Sequence, residues 1–437
     1  MIPSEALPSA TTRVGRALAR PTAVLLYLLL MALVSTVGCT RKPSAVVPTN
    51  VPLVEALDAG DPSVAVDPQS HDVLMSWVAG DSAGYRIWFS RSTDQGENWS
   101  TPVAVSPVGE PLRLHPQSSP VLLCDDAGRV GVAYSTSYEV EGRKWPASTL
   151  RFVTSTDGGR SWSPAATIND DAALGPGNHG FFGVTRGVNG KLYAAWLDSR
   201  PGADSLPEHI NEGHDASIHL ARSDDFGRTW GKNVGQWSHV CPCCRASVAV
   251  DVVGNPFVAF RKHFEGQVRD AVVARVGYVP VRMANDRWVQ DGCPHSGPPL
   301  LMSLDGTLRM AWFTGAEGHV GVYFRETLAE TLDSLGTVVP VLTGEHLPTV
   351  HVALAEAGMS GTLIACDADS TGGRGLTLAR VEPSGRRLVE RFAMPNVQGV
   401  DHPHVAVAPG SKLAYVAWTT TNDDRRRIRL ARWTVGR

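Results

Sequence analysis

The sequence predicts an all-β chain built as a ring of repeated four-stranded sheets, and three observations carry that prediction. Alternating apolar strands recur along the chain: Val64 to Asp67 and Val248 to Asp251 both read Val-Ala-Val-Asp, and Val405 to Ala408 nearly repeats them. Second strands end on tryptophan at Trp77, Trp196, Trp312 and Trp418. Glycine (43) and proline (30) are plentiful and tryptophan (12) outnumbers tyrosine (8), a composition of many tight turns between large apolar anchors. Modules begin near Asp61, His115, His179, Cys244, His295, His346 and His402, at spacings of 51 to 65 residues. A period of that order is the mark of a propeller. Seven modules predict a seven-bladed β-propeller, with six blades as the alternative.

Composition narrows the function classes. Hydrophobic residues at 43% and charged residues at 19% supply a core and exclude wholesale disorder. A net charge of −3, with no like-charge block longer than Arg425 to Arg427, excludes a basic nucleic-acid stripe.

The N-terminus reads as an export signal over residues 1–38: Arg13, Arg16 and Arg20 precede an apolar run from Ala23 to Val37. Thr36-Val37-Gly38-Cys39 resembles the lipobox of bacterial lipoproteins, although Thr36 stands where leucine is usual. The resemblance implies lipidation at Cys39 and a membrane-anchored protein facing the periplasm or the cell exterior. Residues 39–50, rich in Pro, Ser and Thr, read as a tether, and the propeller is expected over 51–437. The last module stops after a third strand, Ile428 to Trp433. Val51 to Leu57 is a spare strand that would pair there, close the ring and hide an edge.

Three modules carry Ser-x-Asp-x-Gly-x-x-Trp, from Ser92 to Trp99, Ser155 to Trp162 and Ser223 to Trp230. The carboxylate accepts turn N–H groups, the glycine supplies positive φ and the tryptophan packs between sheets, so the motif locks a turn. It resembles the Asp box, or BNR repeat, of sialidases and related propellers. That family implies six blades, a cluster of three arginines for a carboxylate, one of them in an Arg-Ile-Pro motif, and a Tyr/Glu pair. Here Asp61-Pro62-Ser63-Val64 stands in place of the arginine motif, and no Tyr/Glu pair transfers. Glycoside hydrolysis would rest on fold analogy.

The connections entering the first strands form one loop set at one end of the channel, opposite the Asp boxes. Six of the seven carry histidine or cysteine: His115, His179, the run Cys241-Pro242-Cys243-Cys244-Arg245, Cys293 with His295, His346, and His402 with His404. First strands line the channel, so these residues are expected to converge. Thiolate and imidazole together suit copper or zinc, and a sulfur-rich set favours Cu(I). Two other readings stay open for the cysteines: a disulfide-stapled, non-catalytic scaffold, as an exported protein permits, and thiol redox chemistry. Cys124 and Cys366 lie in apolar strands as small buried side chains. His71 and His351 lie elsewhere on their modules and are expected to be structural.

The loops joining second and third strands add charge. Asp198 and Arg200 precede an insert that carries Glu208, His209, Glu212 and His214, which is either a lid or a surface loop. Arg245, Arg261, Arg269 and Asp270 belong to blade four, where the arginines would hold an anionic ligand, a small molecule or a glycan, or else pair with Asp270 or Asp291. The combined run Cys-Pro-Cys-Cys-Arg, Arg269-Asp270 and Cys293-Pro-His-Ser-Gly-Pro298 resembles a group of bacterial exported Asp-box proteins usually labelled sialidase-like. The reading is therefore a monomeric exported propeller with a Cys/His hub for a soft metal, touching a membrane only through its lipid. A sialidase-like glycosidase and a binding scaffold are the alternatives.

Overall fold

A computed structural model describes residues 44–51, 58–82, 84–143, 145–200, 216–332, 334–369, 371, 373–422 and 425–436. The expected export signal, Cys39 and the histidines and glutamates of the blade-three insert lie outside these residues.

The described residues form seven antiparallel four-stranded sheets. Blade one comprises Asp58–Val66, Val73–Asp81, Gly84–Ser92 and Val103–Ala104, and blade two Val121–Cys124, Val130–Ser135, Leu150–Ser155 and Ala166–Thr167. Blade three comprises His179–Arg186, Leu192–Asp198, Ser217–Ser223 and Val234–Gly235, and blade four Ser247–Val250, Pro256–Phe264, Val268–Arg275 and Val281–Arg282. Blade five is Leu300–Met302, Thr307–Thr314, Gly321–Leu328 and Val339–Thr343, and blade six Val352–Glu356, Thr362–Cys366, Gly375–Val381 and Leu388–Gln398. Blade seven joins Val400–Val407, Leu413–Asn422 and Arg425–Thr434 to Ala45–Pro48 from the other end of the chain. The first strand of each blade touches the first strand of the next, and that of blade seven touches blade one, so the ring is a closed seven-bladed propeller.

The core lies between blades. One buried apolar layer fills each of the seven seams, as where Trp77 and Met75 of blade one meet Tyr415 and Leu430 of blade seven. Second strands, covered on both faces, are buried almost throughout in blades one, three and six. The period-2 pattern is therefore weaker in them than a sheet with one wet face would give.

The Asp boxes lock both turn and seam. Ser155 Oγ accepts the Gly159 N–H at 2.8 Å, and Asp157 Oδ1 accepts the Ser161 N–H at 2.9 Å. Ser92 with Asp94 and Ser223 with Asp225 repeat the arrangement. The Ser161 hydroxyl and N–H, the Ser155 hydroxyl and the Arg160 N–H hold the Asp157 carboxyl well below the usual range. Gly159 has φ +91°, and a Cβ there would stand 2.0 Å from Phe89 of the preceding blade, on which Trp162 packs edge-on at 5.2 Å. Gly159→Ala combines positive φ with a clash against a buried ring, so it is expected to cost roughly 2–4 kcal/mol, read as a lowered midpoint of urea unfolding.

The closing strand differs from expectation. Residues 52–57 lie outside the described residues, and the place beside the last strand is taken by Ala45–Pro48, with Ala45 opposite Thr434 and Pro48 opposite Ala431. The propeller thus begins inside the expected tether. By Asn50 the chain has reached the outer turn of blade one, where its side chain donates to the Glu97 carbonyl at 2.7 Å.

Candidate metal centre at the mouth of the channel

The entrances to the first strands do converge, and Gln117 ties them together. It sits in a short 3-10 turn, Pro116–Ser118, ahead of blade two. Its Oε1 accepts the Arg245 N–H at 2.9 Å, which turns its amide NH2 toward the His295 carbonyl at 2.6 Å and His402 Nε2 at 2.5 Å. Blades two, four, five and seven are joined by this one side chain. Ser118 Oγ accepts the Phe181 N–H of blade three at 3.2 Å, and Asp61 of blade one accepts the His115 N–H at 2.8 Å. Burial pushes the Asp61 carboxyl up to about 7, against the pull of that N–H.

Four entrance residues other than glycine hold positive φ: Asp61 (54°), Phe181 (52°), His295 (51°) and His402 (45°). In blades one, three and seven they fall within register shifts of the inner strand. Such a bulge bends the strand and re-aims its side chains, at a cost of about 1–3 kcal/mol per strained residue.

Three thiols are buried here. Cys241 Sγ lies 3.6 Å from Cys243 Sγ and 3.6 Å from Cys244 Sγ, and none of the six described cysteines is paired in a disulfide. Cys243 also belongs to a second group with Cys293 and His295, both exposed at the mouth. Metal–sulfur bonds of about 2.3 Å put tetrahedral ligands roughly 3.8 Å apart and trigonal ones roughly 4.0 Å apart. The two distances from Cys241 fall short of these by only tenths of an ångström, and all three sulfurs lie within 4.8 Å of one another.

Arg269 completes the thiol set: its Nη1 donates to Cys241 Sγ at 3.3 Å. Hydrogen bonds from the Cys243 and Cys244 thiols, with the Arg269 guanidinium beside them, pull the Cys241 thiol well below its ordinary range. Hydrogen bonding to Cys241 and Cys244 holds the Cys243 thiol up, and burial does the same for Cys244. Cys293 is lowered by its contact with the Cys243 thiol.

The other blade-four groups are committed elsewhere. Arg261 spends its guanidinium on the carbonyls of Ser296, Arg269 and Phe313, and lies 4.8 Å over the Trp288 ring. Asp270 accepts the Trp288 N–H at 3.0 Å and pairs with Arg282, in place of the expected arginines of its own loop. Arg245 lines the channel, a cavity of about 270 Å³, with Nε on the Phe182 carbonyl and Nη2 on that of Ser119. Desolvation lowers it to about 10. Among the described residues none of the three arginines has a carboxylate within 4.0 Å, and Arg245 is the one of them that lines the channel.

The histidines separate into groups. His295 stands with the cysteines, and His115 packs edge-on against Phe181, which covers the buried thiols. His404 lines the channel, its Nδ1 accepting the Val64 N–H at 3.3 Å, and burial lowers it to about 4. His179 is not brought to the thiols' ligand group: Nδ1 donates to the Ser148 carbonyl at 2.7 Å and Nε2 to Asp171 at 2.8 Å, which leaves no lone pair for an ion. His346 is exposed and outside the ligand groups of the described residues. The sixth inner strand starts at Val352, so the entrance residue of that blade is His351, which meets His402 across the seam. His351 was expected to be structural, and its place at the hub corrects a module start set five residues early. Cys124 donates to the Val66 carbonyl and Cys366 is fully buried in the seam of blades five and six.

Residues 73–275 match the BNR repeat-like domain. No curated protein matches the sequence significantly. Among solved structures, a lectin from Burkholderia pseudomallei is 11% identical over 87% of this chain and 96% of its own, with a TM-score of 0.57. A polysaccharide lyase described as an ulvan lyase is 11% identical over 86% and 93%, with a TM-score of 0.54. A protein of unknown function from Dyadobacter fermentans is 15% identical over 90% and 98%, with a TM-score of 0.51. At these identities the likeness is one of fold, the β-propeller that the repeats predicted.

Proposed function

We propose that this chain is an exported Asp-box propeller whose channel mouth binds a soft transition metal, copper(I) in preference to zinc(II). Cys241, Cys243 and Cys244 would hold the ion, with Cys293 and His295 at the entrance. The observation that carries this reading is the triangle of buried, unjoined sulfurs with a guanidinium on one of them. A sulfur-only inner set selects Cu(I) over harder ions, and two or three thiolates on a monovalent ion leave negative charge for Arg269 to offset. Arg245 would place a small anion in the channel beside the ion. Export and lipidation at Cys39 complete the reading.

Glycoside hydrolysis fits the site less well, because Arg261 and Arg269 are spent on carbonyls and a thiol and cannot clamp a substrate carboxylate. The test is a titration of reduced, chelator-free protein with Cu(I) and with Zn(II), beside an assay for sialic acid release. At least one tightly bound equivalent is expected. Cys243→Ser should weaken it by more than about a hundredfold, Cys124→Ser should leave it unchanged, and no sialic acid should appear. Absence of binding at micromolar metal, or mass spectra with all four hub cysteines in disulfides, would replace the metal centre with a stapled scaffold.

A further inference from the structure

Two of the histidines at the channel do not serve the cysteines. His351 enters blade six, and Asp367 follows that blade's second strand, Thr362–Cys366; Asp401 and His402 lie on the first strand of blade seven, Val400–Val407. Ligand atoms from all four residues lie within 4.8 Å of one another. The two imidazoles stack, with centroids 3.4 Å apart and planes inclined by 23°.

Each ring is oriented by its own carboxylate. His351 Nδ1 bonds Asp367 Oδ2 in a short contact, and His402 Nδ1 bonds Asp401 Oδ1 at 2.6 Å. Asp367 is fixed in turn by the His351 N–H at 2.7 Å and by Arg374 at 2.8 Å. With Nδ1–H donated to a carboxylate, the lone pair of each ring sits on Nε2. At His402 the Gln117 amide donates to that atom. At His351 nothing among the described residues bonds it, and both rings line the channel. A carboxylate that fixes the tautomer and raises the basicity of the opposite nitrogen is the arrangement that outer-shell groups give to metal-bound histidine.

Blade three supplies an internal contrast. There an entrance histidine and an aspartate at the end of the second strand, His179 and Asp198, occupy equivalent places opposite each other in the ladder. Both nitrogens of that ring are taken, and Arg200 binds Asp198 with two bonds of 2.7 and 2.9 Å. That cluster leaves no ring nitrogen free, whereas in the one between blades six and seven His351 Nε2 has no partner among the described residues and both imidazoles line the cavity.

We infer that His351, His402, Asp367 and Asp401 form a second metal site, for a borderline divalent cation of the Zn(II) or Co(II) class. Imidazole donors backed by carboxylates suit such ions, and the site is chemically distinct from the thiol hub. The cluster carries two carboxylates against one guanidinium, so a dication meets net negative charge.

Cobalt(II) titration of the reduced full chain tests the inference, because sulfur-bound cobalt shows a sulfur-to-metal charge-transfer band and nitrogen- or oxygen-bound cobalt does not. Two classes of bound cobalt are expected. His351→Ala should remove the class without the sulfur band and keep the other, and Cys243→Ser should do the reverse. Asp401→Asn, at a partly exposed side chain, should weaken the non-sulfur class by at least about tenfold. This second variant decides the matter if His351→Ala fails to fold. The inference is overturned if all bound cobalt carries the sulfur band, or if a folded variant of either kind keeps the non-sulfur class unchanged. Loss of the sulfur class alone would instead count against the thiol centre.

Discussion

Deletion of residues 45–48 is expected to unfold the propeller as a whole. The segment supplies the outer strand of blade seven, pairing Val46 with Trp433 and Val47 with Arg432. Its flanks reach further: Ser44 Oγ donates to Glu390 of blade six at 2.5 Å and accepts the Gly436 N–H at 2.8 Å, while the Asn50 carbonyl accepts Trp99 Nε1 of blade one at 3.0 Å. Three blades are thus held by one short stretch. Four paired residues at about 1 kcal/mol net for each hydrogen bond, with the half-buried Val46 added, come to roughly 5 kcal/mol. Domains of this kind have only about 5–15 kcal/mol in total. The deletion would also bare the edge of Arg425–Thr434, a template for association. Urea unfolding followed by tryptophan fluorescence should show loss of the native baseline or a midpoint far below that of the full chain. An unchanged transition would mean that the ring closes without its clasp.

That clasp was the part of the fold least legible in the sequence. Blade strands announce themselves by repetition, and the Asp boxes by a fixed spacing that local turn geometry enforces. Ala45–Pro48 has neither signal, because an edge strand needs only one inward residue, here Val46, and its Pro and Ser neighbours read as a tether. The thiol hub was legible for a simple reason. Strand entrances point to a common axis, so cysteines there must approach one another whatever the details of each loop. Gln117 gave no signal, since its three partners lie 128, 178 and 285 residues away in the chain. His351 could have been found by counting back from the alternating strand at Val352 instead of forward from the preceding turn. The fates of Arg261 and Arg269 were set by backbone carbonyls and a sulfur, and carbonyls are present at every residue and leave no trace in residue types.

Arg269→Gln is expected to weaken Cu(I) binding by about ten- to a hundredfold and to change how binding depends on pH. A hydrogen bond to a charged group is worth about 1.5–3 kcal/mol, which sets the size of the loss. The pH argument follows from where the protons are. In the metal-free protein the Cys241 thiol is held below its ordinary range and its two neighbours above theirs, so Cys241 is the first of the three to give up its proton. Binding on all three sulfurs therefore releases fewer protons in the wild type than in a variant whose Cys241 is held less far down, so affinity should fall more steeply with acid in the variant. Stability without metal gives an independent reading. Between the lowered native value of Cys241 and the ordinary thiol value of 9.0, the unfolded chain holds a proton that the native state lacks, so stability rises with pH across that window and is lost as pH falls through the native value. Cys243 and Cys244 act in the opposite sense, because their raised native values make their contribution disappear as pH climbs past the ordinary thiol range. Urea unfolding of reduced, metal-free protein from about pH 6 to 9 should show the rising limb in the wild type and a flatter one in Arg269→Gln. Identical limbs would place the thiolate elsewhere and remove Arg269 from the centre.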